Sequence, residues 1–323
     1  MSGRASFVLG LGTATLVPLV LAPLLAPGNG RGTSELLGVL VVGAYAGHIA
    51  VTGLLWTVPE VRLTVRSRPI RLVVVPCALV VAAAALVLLW PTLSLRALLL
   101  AFFAWQFTHF QRQNIGLAKL IASKWAADPL SAAECRLAEA AAWCAIGVLI
   151  ARPSLLGLGH ATARIPGAGL VEQLATVAYV VCIAVAVVLV VRRRHRSAAA
   201  SAAYLTSLAF VAPVFLFQNA EAAVTGMVVA HGLQYLFVVR WRTGQARIAQ
   251  AQAPWPTTLA VVAVAVLGGA VLEALSELHS TSSLLRLLNG LYFGIVMAHF
   301  AVDGLLWRRP AGSSRPSLSH RSR

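Results

Sequence analysis

Charged side chains are scarce in this chain of 323 residues, where Asp, Glu, Lys and Arg together make up 11%. Hydrophobic residues make up 59%, and the mean hydropathy is +0.81. A soluble domain cannot hide this much apolar surface, so the composition excludes the soluble classes of protein. The sequence therefore predicts an integral membrane protein that has the lipid bilayer as its main partner.

Paired cysteines are also missing. The four cysteines show no CxxC or other paired spacing, which argues against a thiolate metal site and against a disulfide framework. Acidic residues number only 10 against 26 basic ones, giving a formal charge of +16. Basic loops that face anionic cytoplasmic lipid account for this charge. The sequence therefore predicts no nucleic-acid partner.

Long apolar runs dominate what is present, and ten of them can cross a hydrocarbon core of about 30 Å at 1.5 Å per residue. They fall near 6–26, 35–57, 71–90, 95–118, 133–151, 169–191, 199–217, 221–239, 256–275 and 285–307. With the amino terminus placed in the cytoplasm, 21 Lys and Arg residues lie on the cytoplasmic side and 5 on the other. This bias is what the positive-inside rule expects.

The fold class that follows is an all-α, polytopic bundle of about ten transmembrane helices with both termini in the cytoplasm. Residues 1–307 are expected to form a single membrane domain, and residues 308–323 a basic, disordered cytoplasmic tail. The expected location is the inner membrane of a bacterium. The oligomeric state is left open.

Four histidines each lie in a different apolar run: His48, His109, His231 and His299. Each precedes, by eight to ten residues, the Trp, Lys or Arg that marks the cytoplasmic end of its helix. All four imidazoles should then lie about 12–15 Å from that boundary, near the middle of the bilayer. Ionisable side chains at such depth are costly and usually mark a function. We interpret this layer of histidines as a set of metal ligands.

Polar residues accompany the histidines at helical spacing. Asp303 follows His299 by one turn and is expected to support it or to bind the metal directly. Asp303 and Gln113 are the candidates for participation in chemistry. Candidates for the surrounding shell or for substrate contact are Thr52, Gln106, Gln234 and Tyr292. The aromatic residues Tyr45, Trp105 and Tyr235 flank the layer and are assigned to packing. His160, His195, His279 and His320 fall in loops or in the tail and are assigned no role.

Imidazole ligands suit iron, copper and zinc. Iron or copper would allow dioxygen chemistry on a lipophilic substrate that enters from the bilayer. A pair of histidines could instead ligate haem b, and zinc with Asp303 as a base would suit a hydrolase. A metal-free transporter or proton relay through His109, Gln113 and Asp303 is the rival from another class, and hydrogen bonding between helices is the simplest alternative. The polar stretch 111–114 could also end a helix near the headgroups, with Arg112 as an anchor.

Four segments carry a resemblance: GHIAVTGLLW, WQFTHFQRQNIG, AHGLQYLFVVRW and MAHFAVDGLLWRR. Together they span about fifty residues and resemble the histidine-bearing helices of the membrane-embedded, bacterial β-carotene-cleaving dioxygenases of the Brp/Blh type. The resemblance implies an iron-dependent oxidoreductase that cleaves a polyene to aldehydes. It also implies that His48, His109, His231 and His299 are the iron ligands, with Asp303 in support.

The topology can be tested with reporter fusions. Fusions after Arg196 and Arg247 should report the cytoplasm, and fusions after Gly159 and Ser280 the opposite side, because the basic residues divide 21 to 5. Paired reporters that are active on only one side of the membrane would measure this. A swapped location for any of the four positions would contradict the ten-helix arrangement.

Overall fold

A computed structural model describes most of the chain, in thirteen pieces: residues 3–26, 32–55, 63, 65–89, 93–125, 128–156, 166–193, 196–219, 221–250, 263–264, 266–272, 274 and 282–306. The regular structure within these pieces is helical, with no strand. The tail 308–323, half of the expected span 256–275 and the four loop or tail histidines (His160, His195, His279 and His320) lie outside the described residues.

Eleven α-helices are delimited in the described residues: α1 (Gly3–Leu25), α2 (Gly32–Leu40), α3 (Gly47–Leu55), α4 (Val75–Leu89), α5 (Leu93–Trp125), α6 (Ala132–Ala151), α7 (Ala168–Arg192), α8 (Ala198–Ala209), α9 (Pro213–Leu216), α10 (Gly226–Gln250) and α11 (Ser283–Leu306). Three π-helical segments adjoin them. Val41–Ala46 joins α2 to α3, Ile70–Val74 precedes α4, and Glu221–Thr225 precedes α10. Two of these segments therefore lead into helices that carry a layer histidine, which fits the frequent occurrence of π-helical turns near functional sites.

Six stretches among the described residues are long and apolar enough to cross a membrane. They are Ala5–Leu25, Leu36–Gly53, Ile70–Leu89, Ala168–Arg192, Glu221–Trp241 and Ser283–Gly304. The expected all-helical, membrane-spanning character is confirmed by this architecture. The count of about ten spans and the cytoplasmic location of both termini stay predictions.

Two expected helices differ from the observed ones. The run 199–217 is divided, because α8 ends at Ala209 and Pro213, which has no backbone N–H to continue the α-helical pattern, begins α9. The 12 residues of α8 cover only about 18 Å. In contrast, α5 continues without a break for 33 residues. The alternative in which a helix ends at 111–114 is therefore wrong.

Small residues bring the main helices into close contact. Gly290 and Gly294 on α11 face the α4 backbone, where added Cβ atoms would lie 2.7 Å from Ala84 Cα and 2.5 Å from Val80 Cα. Gly232 on α10 faces the backbone carbonyl of Ala44, with no room for a Cβ between them. Membrane helices commonly associate through such small residues, since lipid provides no hydrophobic drive for their contact.

An ion-pair cluster joins α6 to the segment before α8. Arg196 donates to Glu134 Oε1 at 2.6 Å and to Asp128 Oδ2 at 3.1 Å. Glu134 also accepts from the backbone N–H of Ser131 at 2.7 Å and so caps α6. The buried carboxylate of Glu134 and the guanidinium of Arg196 are thus both paired and hydrogen-bonded, and they hold the start of α6 against the segment before α8.

The contact at Gly232 gives a test of the packing. Gly232→Ala should lower the free energy of unfolding by about 1–3 kcal/mol, because a methyl group there overlaps the Ala44 backbone. Thermal unfolding of purified protein would measure it. Gly116→Ala on α5 is the matched control, since an added Cβ there meets nothing within 4 Å. Equal stability of the two variants would contradict the close approach of α10 to the π-helical segment.

Candidate metal centre

The four layer histidines converge from four helices. His48 lies on α3, His109 on α5, His231 on α10 and His299 on α11, and all four are buried. The ring centroid of His48 lies 4.8 Å from that of His231 and 4.7 Å from that of His299. The ring of His109 lies 4.9 Å from that of His231 and 5.5 Å from that of His299. The four rings thus form one compact cluster.

Two groups of candidate ligand atoms overlap in this cluster. The first comprises His48, His231 and His299, and the second comprises His109, His299 and Asp303. Within each group the ligand atoms lie within 4.8 Å of one another. Nε2 of His48 and Nε2 of His299 lie 3.0 Å apart. Such a buried set of imidazoles and a carboxylate could hold a metal ion.

Asp303 lies beside the histidine cluster. Its Oδ2 atom lies 3.7 Å from Nε2 of His109, and only 2% of the residue is exposed. This carboxylate therefore approaches the histidine of a neighbouring helix, whereas sequence spacing had paired it with His299 on its own helix. His109 and His299 belong to the same ligand group as Asp303, so the carboxylate lies near both histidines.

Aromatic rings enclose the cluster. Phe110 lies 4.3 Å from the ring of His231, and Phe300 stacks on His109 with centroids 4.6 Å apart. Tyr45 lies 5.4 Å from the ring of His48. Such walls exclude bulk water from the imidazoles and limit which partners their nitrogens can find.

Several of these nitrogens have no partner. Within the described residues, neither ring nitrogen of His231 makes a hydrogen bond, and Nε2 of His109 makes none either. A buried polar atom left unsatisfied costs about 1–3 kcal/mol, and each case in a native structure requires an explanation. A metal ion bound by Nε2 of His109 and by one ring nitrogen of His231 would remove the cost at those two atoms. The orphaned atoms and the overlapping ligand groups thus point to the same chemistry.

The hydroxyl of Thr52 joins three groups at the edge of the cluster. Thr52 Oγ1 lies 2.9 Å from Nδ1 of His299 and 2.9 Å from the hydroxyl of Tyr235. It also donates to the carbonyl oxygen of His48 at 3.1 Å. Thr52 thus contacts the backbone of His48 on its own helix and the ring of His299 on α11.

Gln113 and Gln234 build a network beside the cluster. Gln113 Nε2 donates to the carbonyl oxygen of His231 at 3.1 Å and to Gln234 Oε1 at 3.0 Å. Gln234 Nε2 donates in turn to Thr15 Oγ1 at 2.8 Å and to Asn114 Oδ1 at 2.9 Å. Gln113 therefore contacts the backbone of a candidate ligand, and no hydrogen bond joins it to an imidazole ring in the described structure.

The two remaining candidates lie farther from the rings. Gln106 is buried and donates to the hydroxyl of Tyr45 at 2.7 Å, so it supports a residue that packs on His48. Tyr292 is half-buried on α11, with its ring 5.4 Å from that of Phe293, and belongs to neither ligand group. Gln106 therefore belongs to the surroundings of the cluster, whereas the ring of Tyr292 packs against Phe293.

Sequence reasoning assigned Tyr235 to packing and gave no role to Thr15. The structure places the Tyr235 hydroxyl against Thr52, and Thr15 on α1 against Gln234. A signal for Tyr235 was available, since it follows His231 by one helical turn and so shares its face. For Thr15 no sequence signal exists, because a lone threonine is common in an apolar helix and its partner is distant along the chain.

Comparison of the chain with protein-family models, with curated proteins and with solved structures finds no match. The function must therefore be argued from the geometry and chemistry of this cluster. The resemblance to the β-carotene-cleaving dioxygenases stays a prediction.

Proposed function

We propose that this protein is a membrane-embedded, metal-dependent oxidoreductase in which His48, His109, His231 and His299 hold one transition metal ion, iron. The observation that carries the proposal is the convergence of four imidazoles and one carboxylate on a buried site where ring nitrogens lack partners. Iron bound there supplies redox chemistry with dioxygen. Copper is the nearest alternative metal for such a ligand set.

A single ion fits the ligand geometry. His299 is common to both ligand groups, and its Nδ1 atom is already engaged by Thr52 at 2.9 Å. Only Nε2 of His299 is then available to a metal, so the two groups describe two sides of one site. The proposed stoichiometry is one ion per chain.

The donor set suits iron or copper. Nε2 of His48 and Nε2 of His299 are 3.0 Å apart, close enough for both to bind one ion. Haem b is less well supported, because a haem takes two histidines and four converge here.

The proposed substrate is lipophilic. A polar substrate would lose several kcal/mol for each unpaired group in this interior, whereas a lipid or polyene enters from the bilayer without that cost. Phe110 and Phe300 would exclude water and present an apolar wall to such a substrate. Asp303 would place its carboxylate beside Nε2 of His109, and Gln113 would hold the α10 backbone at His231.

The membrane arrangement belongs to the same proposal. We place about ten spans in the inner membrane of a bacterium, with both termini in the cytoplasm, on the strength of the basic-residue partition. The histidine layer then lies near the middle of the bilayer, where dioxygen and apolar substrates both dissolve.

A metal-free relay is less well supported. Gln113 and Gln234 are amides, which do not titrate, and their hydrogen bonds lead to other amides and to Thr15. A proton path would need titratable groups or water at these steps.

Metal binding tests the ligand assignment. Alanine replacement of His48, His109, His231 or His299 should each lower metal affinity by more than the 10 to 100-fold that loss of a supporting partner typically costs, because each removes a ligand. Asp303→Asn should fall within that range. Metal content of purified protein after reconstitution with ferrous iron would measure both effects.

His160→Ala, His195→Ala and His279→Ala serve as controls and should retain full iron. A Soret band in the purified protein would favour haem instead. Full metal content in all four layer variants would rule out the site.

Oxygen dependence tests the reaction. Iron-loaded protein incubated with polyenes such as β-carotene, or with membrane lipids, should give aldehydes only when dioxygen is present. Cleavage of one double bond by one dioxygen molecule gives two carbonyl groups, so both oxygen atoms enter the products. Incubation under ¹⁸O₂ with immediate borohydride reduction, followed by mass spectrometry, would detect them.

Protein with His231→Ala, prepared in the same way, is the matched control and should give no product. Identical extracts from aerobic and anaerobic incubations would contradict the oxygenase proposal. Transport that depends on a proton gradient and survives chelation would support the relay instead.

A further inference from the structure

The Thr52 hydroxyl has one proton and three neighbours, and this limits how the protons can be arranged. The His48 carbonyl can only accept a hydrogen bond, so Thr52 donates its single proton there. Toward its other two neighbours Thr52 must then act as an acceptor. Tyr235 and His299 Nδ1 must both donate to it.

We infer from this arrangement that Thr52 and Tyr235 are positioning residues that fix the protonation of His299. Nδ1 of His299 carries the proton, and Nε2 keeps its lone pair free. This inference rests on the proposed metal site, and it goes beyond it by naming the residues that prepare one ligand before metal arrives. The role of a ligand's second nitrogen in setting tautomer and ring orientation is general for histidine metal sites.

The position of the free nitrogen agrees with this inference. Nε2 of His299 is the atom that lies 3.0 Å from Nε2 of His48 and that belongs to both ligand groups. Without metal, a proton on His48 Nε2 can be donated to this lone pair. If metal is bound, the same lone pair would be available to the ion that the other histidines hold.

Tyr235 is held firmly enough to perform this task. It is 2% exposed and packs with Val51 and Val239, and its ring lies 5.3 Å from His48 and 6.0 Å from His299. When the Tyr235 hydroxyl donates to Thr52 Oγ1, it occupies one lone pair of that oxygen. The second lone pair of Oγ1 then accepts from Nδ1 of His299. Tyr235 therefore orients the hydroxyl of Thr52.

The contrast with His231 defines which ligand is prepared. Both ring nitrogens of His231 lack hydrogen-bond partners in the described structure, and its support comes through the backbone carbonyl that Gln113 binds. His299 is held at the ring itself. We expect His299 to be the anchoring ligand of the site.

The first experiment measures affinity for ferrous iron alone, by competition with a chromophoric chelator under anaerobic conditions. Thr52→Val should weaken binding about 10 to 100-fold, because the valine cannot accept from Nδ1 of His299. Thr52→Ser keeps the hydroxyl and should restore binding to within a few-fold of wild type. Tyr235→Phe should weaken binding, but less than Thr52→Val.

Thr176→Val on α7 is the matched control. Like Thr52, Thr176 donates to the carbonyl oxygen four residues earlier, at 2.8 Å, but among the described residues it makes no hydrogen bond to a histidine. Its iron affinity should equal that of wild type, and thermal unfolding of every variant would show that it is folded.

The second experiment reads the tautomer directly in the metal-free protein. ¹⁵N spectra of histidine-labelled protein should show His299 protonated at Nδ1, with the signal assigned by its loss in His299→Ala. Thr52→Val should change that signal, and Thr52→Ser should retain it. A structural role alone would not move the proton from one nitrogen to the other.

The outcomes separate this inference from the proposed function. If the wild-type protein binds no iron, the proposed function fails, while the tautomer measurement still tests Thr52. If wild type binds iron and Thr52→Val binds it equally well with His299 unchanged at Nδ1, the positioning role is overturned. Weak binding by Thr52→Ser and Thr52→Val alike would also overturn it, because the hydroxyl would not be the cause.

Discussion

The cost of leaving imidazole nitrogens unsatisfied in an apolar bundle is the constraint on which the rest of this structure depends. Water is excluded by rings such as Phe110 and Phe300, so each nitrogen must find a partner within the protein or in a bound ion. His299 meets part of this need through Thr52, whereas His231 has no hydrogen-bond partner for either nitrogen among the described residues. The cluster is thus only partly satisfied by the polypeptide.

Convergence of the histidines requires helices whose axes come unusually close. Gly232, the residue after His231, lets α10 contact the π-helical segment that precedes His48. Gly290 and Gly294 allow a comparable approach of α11, which carries His299, to α4. A histidine side chain is short, so the distance between backbones decides whether ring nitrogens from different helices can bind one ion. The glycines therefore help to form the site by allowing this close approach, although none of them is a ligand.

The positions of most long helices could be predicted from the sequence. The reason is that a span in lipid needs a long apolar stretch whose backbone hydrogen bonds are made within the helix. The spans beginning near residues 6, 71, 169 and 285 accordingly match observed helices closely. The run 199–217 was harder, because hydropathy does not register the missing N–H of Pro213. The polar stretch 111–114 left a helix end open as an alternative to the expected span 95–118. Its amides instead find partners on neighbouring helices, and the helix continues.

At the site, the sequence by itself determined which side chains were available and predicted their depth. Trp56 follows His48 by eight residues and Arg308 follows His299 by nine, so a constant rise along each helix predicts matched depths. Only the tertiary structure decided which of these side chains contact one another. Thr52 binds the ring of His299, Asp303 approaches His109, and Tyr235 reaches Thr52, because rotation of each helix about its axis is fixed by packing between helices and has no local signature in the sequence.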